Sequence, residues 1–146
     1  MFQKLFKIIC ALFSRSEPTP KFTSGNGERI SRFLTHRNQY STEKRVVRHS
    51  AFFPPPDLRL SAYWTTAISE DYVWRLGRRF VAPSRGPIHG RADVNSLVIC
   101  NDAALAIERA TNPHFRHVEV CGWDTDKARA RLQAIKLANS AELVLV

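Results

Sequence analysis

The chain reads as an α+β protein: a compact mixed or antiparallel sheet of about five strands with two main helices, plus an N-terminal amphipathic helix. Three observations predict this. Short stretches of period-two alternation recur at 58–64, 88–94 and 116–123. Two longer stretches, near 70–80 and 125–140, carry apolar residues behind capping residues. Composition is that of an ordinary globular chain: of 146 residues, 44% are hydrophobic and 24% charged, with no repeat and no low-complexity tract.

Residues 2–13, FQKLFKIICALF, place Phe2, Leu5, Phe6, Ile8, Ile9, Leu12 and Phe13 on one helical face, with Gln3, Lys4 and Lys7 opposite. The helix should stop before Pro18. The stripe suits first packing on the domain or a protein partner, and second an anionic membrane surface. A secretion signal fits poorly, because the apolar run from Ile8 to Phe13 is short and lacks a cleavage site. The organisation expected is therefore an amphipathic helix over 1–15, a Ser/Thr/Pro/Gly linker over 16–28, and one α+β domain over 29–146.

Within that domain, 29–50 is basic and weakly patterned, with a short strand at Val46-Val47. Pro54-Pro55-Pro56 is a rigid extended segment packed on the core. Leu58–Trp64 alternates as a strand. Ser69 caps a helix over about 70–80, with Glu70 and Asp71 in its first turn and Arg75, Arg78 and Arg79 outward. Pro83–Pro87 reads as a loop, Ile88–Val94 as a strand, Leu97–Cys100 as a short apolar segment and Leu105–Ile107 as a further strand. A turn at Thr111–His114 leads to a strand over Arg116–Trp123. The last helix starts at Asp124 or Thr125 and runs to about Ser140, with Ala128, Leu132, Ile135 and Ala138 as its apolar stripe. Leu143–Val146 then reads as a buried strand. Trp64, Trp74 and Trp123 are expected in the core.

Charge is the strongest functional indicator. Residues 1–50 hold ten Lys/Arg against three acids, a net of +7 out of +9 for the chain. Such a field attracts nucleic acid, phosphate-bearing ligands or anionic lipid. Arg37, Lys44, Arg45 and Arg48 are the expected phosphate-binding residues. No phosphate-cradling glycine loop and no G-x-S-x-G occurs. Cys10, Cys100 and Cys121 are scattered, which argues against a disulfide framework and fits a reducing compartment. No metal site and no cofactor are expected.

A catalytic alternative comes from strand arithmetic. Alternation puts His89, Arg91 and Asp93 on one side of 88–94, and His117 with Glu119 on one side of 116–123. Were the two strands neighbours, these groups would form an acid–base and phosphate-binding cluster. Otherwise they are the solvated side of half-exposed strands.

Several motifs also carry a resemblance: Lys44-Arg45-Val46, Ala51-Phe52 with Pro54-Pro55, Leu60-Ser61, Gly90-Arg91-Ala92-Asp93, His117 in RHVEVCGW, and Asp126-Lys127. Across roughly 40–146 the chain resembles a family of small bacterial proteins without an assigned mechanism. The resemblance implies a self-contained bacterial domain in a phage or mobile-element setting. It also implies functional weight on Arg45, Arg91, Asp93, His117, Asp126 and Lys127. The expectation is a cytoplasmic module binding nucleic acid or another phosphate-bearing partner. The alternatives are a small enzyme acting on a nucleotide or phosphodiester, and a protein held at the inner membrane by residues 2–13.

Overall fold

The computed structural model describes residues 27–146. The expected N-terminal helix and most of the linker lie outside the described residues. Glu28 is already seated on the domain: its carboxylate accepts from Trp64 Nε1 at 2.9 Å and its backbone N–H donates to Ser96 Oγ at 2.8 Å.

The elements run β1 (Arg29–Leu34), β2 (Tyr40–Ser41), β3 (Val46–Val47), β4 (Leu60–Trp64), α1 (Glu70–Leu76), α2 (Ala82–Arg85), β5 (Gly90–Asn95), β6 (Ala106–Arg109), β7 (His117–Cys121), α3 (Lys127–Ser140) and β8 (Glu142–Leu145). Six strands form one antiparallel sheet in the order β6-β7-β4-β1-β5-β8, and β2 pairs with β3 apart from it. The α+β class holds, with six strands in the main sheet rather than about five.

The expected pattern missed β1, which lies inside the sheet between β4 and β5. Its sequence RISRFL does not alternate cleanly, because both of its sides are covered. Ile30 and Leu34 enter the core beneath α3, while Phe33 enters a second core beneath α1 with Tyr63, Val73 and Leu76. Helices thus cover both faces of the sheet.

On α3, Asp126 is the N-cap, accepting from Arg129 N–H at 2.9 Å, so the helix starts later than Asp124 or Thr125. The buried stripe is Ala130, Ala134, Leu137 and Ala138; Leu132 is 59% exposed. Of the expected stripe Ala138 is buried and Ile135 half-buried, while Ala128 and Leu132 face outward; the helix turns mainly alanines to the sheet, where small residues allow close approach. The first helix keeps its Ser69 cap but does not end near 80. It continues through a π turn (Gly77–Val81) into α2, so Pro83 lies inside helix rather than in a loop. Proline lacks an N–H and collides with the carbonyl four residues earlier in a regular α-helix; the wider turn relieves both. Gly77 permits close docking, because a Cβ there would lie 2.7 Å from the Phe33 ring.

Three further expectations shift. Leu97–Cys100 leads into a second π turn, Val98–Asp102. Leu143–Val146 is not fully buried: β8 is an edge strand on β5, and Val146 is 77% exposed. Trp123 is buried as expected, but Trp64 and Trp74 are only half-buried. Cys100 and Cys121 are free thiols. Among the described residues no helix is long and apolar enough to cross a membrane.

Candidate functional site

The strand register decides whether the expected His/Arg/Asp cluster forms. Asp93 pairs with Ser31, Ser31 with Tyr63, and Tyr63 with His117. Asp93 and His117 therefore share one face but stand three strand spacings apart, about 14 Å at roughly 4.8 Å per spacing. The strands 88–94 and 116–123 are not neighbours, and the cluster does not assemble.

Arg91 and Asp93 are not solvated either; they are 2% and 8% exposed. Arg91 Nε donates to both Asp93 oxygens at 3.0 Å, and its Nη atoms donate to Glu70 at 2.8 and 2.9 Å. The guanidinium lies 4.7 Å from the centre of the Trp74 ring. Ser31 Oγ donates to Asp93 at 2.6 Å and meets Thr65 Oγ1 at 2.7 Å, and Arg29 joins Thr65 and Glu70. Arg91 holds Glu70 below the usual carboxylate range, chiefly through its hydrogen bonds. This closed, mutually satisfied network ties α1 to the sheet and leaves Arg91 little freedom to meet a substrate. His89 precedes β5 and meets Tyr40 Oη at 3.2 Å, remote from His117 along the sheet.

Arg37, Lys44, Arg45 and Arg48 are exposed around the β2–β3 hairpin and form no ion pair among the described residues. Arg45 occupies the left-handed region at the hairpin tip (φ 52°). None of the four lines a cavity described here.

His117 does reach a cavity, with partners that the sequence reading missed. A cleft of about 180 Å³ lies between the α1–α2 helix and strands β4 and β7. Its walls include Ser61, His117, Arg32, Arg85, Tyr63 and Phe80. His117 is 8% exposed. Its Nδ1 faces the carbonyls of Ala110 and Asn112 at 3.0 and 2.9 Å. Both are acceptors, so in the neutral imidazole Nδ1 carries the proton and Nε2 is left as an acceptor. Ser61 Oγ lies 2.6 Å from Nε2 and therefore donates to it. The arrangement is a hydroxyl on a base whose tautomer is set from behind by the backbone.

Arg32 supplies the cleft with charge. The β1–β4 ladder is registered at Ile30↔Trp64 and Ser31↔Tyr63. Next along β1, Arg32 Nη1 donates to the Ser61 carbonyl at 2.9 Å and Nε to the Ala51 carbonyl at 3.2 Å. Arg32 forms no ion pair among the described residues, and its charged neighbour is another cation, Arg85. Burial, with Arg85 beside it, lowers its pKa to about 10, so it stays protonated at neutral pH. Burial also pushes the Tyr63 phenol up to about 12, which keeps that wall neutral.

Phe80 also walls an adjoining groove of about 310 Å³ with Tyr72, Arg75, Leu76, Arg79 and His114. Here three rings stand with two guanidiniums, Arg75 over the Tyr72 ring and Arg79 over the Phe80 ring, each at 5.6 Å. His114 Nδ1 accepts from Arg116 N–H at 3.1 Å, so Nε2 donates to Tyr72 Oη at 3.1 Å. Burial, then Arg116 and Arg79, hold its pKa below the ordinary histidine value. No group of three or more His, Cys, Asp or Glu side chains suited to a metal ion occurs among the described residues.

In the sequence Ser61 is one polar residue on an alternating strand, beside Tyr63 and between Leu60 and Ala62. Pairing it with His117 requires the β4–β7 register, to which no local pattern points. Compared with protein-family models, with curated proteins and with solved structures, the chain finds no match in any of the three.

Proposed function

We propose that the domain binds a phosphate-bearing ligand, single-stranded nucleic acid or a nucleotide, in the cleft and its adjoining groove. The observation that carries this reading is Arg32: a partly buried guanidinium with no carboxylate partner among the described residues, set beside a second cation. A guanidinium held by carbonyls alone keeps a net positive charge that an anionic ligand would balance. The groove beyond Phe80 supplies rings for bases and Arg75 and Arg79 for phosphates, the combination used by binders of single strands. The basic hairpin carrying Arg37, Lys44, Arg45 and Arg48 adds attraction at longer range.

The test is fluorescence anisotropy of labelled single-stranded oligonucleotides with the full chain across a salt series. Binding should weaken linearly in log salt. Arg85→Ala and Arg79→Ala, both at exposed positions, should each weaken it by roughly tenfold and lower the salt slope by about one. Absence of binding at low salt would overturn the reading. So would binding that ignores these two substitutions and is lost with Lys44→Ala and Arg48→Ala, which would move the site to the hairpin.

A further inference from the structure

We infer that Ser61 is a nucleophile activated by His117, and that the cleft performs acyl transfer on an ester or thioester whose alcohol or thiol part carries phosphate. The substrate class rests on the anion-binding reading of Arg32 and Arg85; the reactivity of Ser61 does not.

Three features of the geometry converge. The hydroxyl-to-imidazole contact is short, at 2.6 Å, and directed at the unprotonated nitrogen. The imidazole is held from behind by the Ala110 and Asn112 carbonyls, so its orientation does not depend on the ligand. A carbonyl at this position stabilises the imidazolium less than a carboxylate would, which predicts a slower reaction than a full triad gives. Finally, Ser61 and His117 both line open space, next to two guanidiniums that suit a developing negative charge.

The single imidazole selects the chemistry. In-line displacement at phosphorus puts the attacking and leaving oxygens on opposite sides, which calls for a base on one side and an acid on the other. At an acyl carbon both groups leave from one tetrahedral centre, and one imidazole serves each in turn. Ser61 Oγ bonds to the carbonyl carbon while its proton passes to His117 Nε2. The carbon–oxygen or carbon–sulfur bond to the leaving group then breaks, and the imidazolium returns that proton to the departing alcohol or thiol. Water next attacks the acyl-serine and gives a proton to Nε2. The acid is released, and Ser61 recovers its proton. Water is the only co-reactant, and no oxidation occurs.

The experiment is labelling of the full chain with a fluorophosphonate probe, which reports an activated serine without a substrate, followed by mass spectrometry of the modified peptide. The expected result is a single adduct on Ser61. It should be absent in Ser61→Ala and slowed by roughly 100-fold or more in His117→Gln. Thermal melts of both variants check folding. Should His117→Gln unfold, Ser61→Ala keeps the test intact, since it removes one hydroxyl. No adduct on the wild-type chain, while a control serine hydrolase is labelled, would overturn the proposal; so would equal labelling of Ser61→Ala. Labelling without oligonucleotide binding would retain the nucleophile and remove the nucleic-acid reading. Oligonucleotide binding through Arg85 without labelling would do the reverse.

Discussion

The face of the sheet under α3 carries Ile30, Leu60, Ala62, Val94, Val118 and Val120, whereas the face under α1 carries Ser31, Ser61, Arg91, Asp93 and His117 from the same strands. On the first face, burial is aliphatic and continuous with Leu137 and the alanines of α3. On the second, the apolar core is small, and buried polar groups are held by specific partners. The buried polar groups divide again, with Arg32 leaving β1 on the side of Ile30 and Leu34 and reaching the cleft past the Ser61 carbonyl. Around Arg91 every charge meets an opposite one, while around Arg32 the cations meet carbonyls and each other. The polar groups around Arg91 are mutually satisfied, whereas Arg32 and Arg85, at the proposed cleft, form no ion pair among the described residues.

The contrast is sharpest in substitutions that should cost most. Arg91→Ala strands Asp93 beneath α1 and should lose about 3–5 kcal/mol in urea unfolding. A loss below about 1 kcal/mol would break the claim that this network ties α1 to the sheet. On the aliphatic face, Leu137→Ala should cost about 2–4 kcal/mol by cavity formation, with fluorophosphonate labelling of Ser61 unchanged. In the cleft the pattern should invert: Ser61→Ala should change stability by less than about 1 kcal/mol while removing the label. Gly77→Ala should fall between them, at about 1–3 kcal/mol, because its Cβ must push the Phe33 ring aside.

The smallest effect concerns acid. Because Arg91 holds Glu70 below 4.5, its ordinary value, Glu70 binds its proton less readily in the folded chain than in the unfolded one. Its contribution is therefore complete above that value and is lost as pH falls through the lower folded value. Melting temperatures of wild type and Glu70→Gln, followed from about pH 6 to about pH 3, should converge in acid. Parallel curves would show that Glu70 does not report on the network.

Much of the fold was legible locally. The strands around 58–64, 88–94 and 116–123, the Ser69 cap and the final helix follow from alternation, capping and apolar spacing that neighbouring residues carry. What escaped did so for identifiable reasons. β1 has two covered sides, so its residues read only as part of a basic, weakly patterned stretch. α3 packs through alanine, so the larger Leu132 drew attention to the wrong side. Pro83 looked like an end because the π turn that accommodates it has no sequence mark. The candidate site was half-legible: His117 stood out by type, but Ser61 and Arg32 acquire meaning only through pairing across three strands. Arg91 and Asp93 were attractive for the same chemical reasons that make them good ion-pair formers.

The π turn at Gly77–Val81 has a consequence for where Arg85 points. An α-helix advances about 100° per residue, and a π turn holds one residue more than the α turn it replaces. Everything beyond Val81 is therefore rotated relative to α1, and Arg85 comes round to the wall that Arg32 occupies. Its aim is encoded in a count of residues rather than in any side chain. Deleting one residue from the turn would restore a regular helix and swing that guanidinium about 100° around the axis. Half the cleft's charge would leave, with the walls on β1, β4 and β7 still in place.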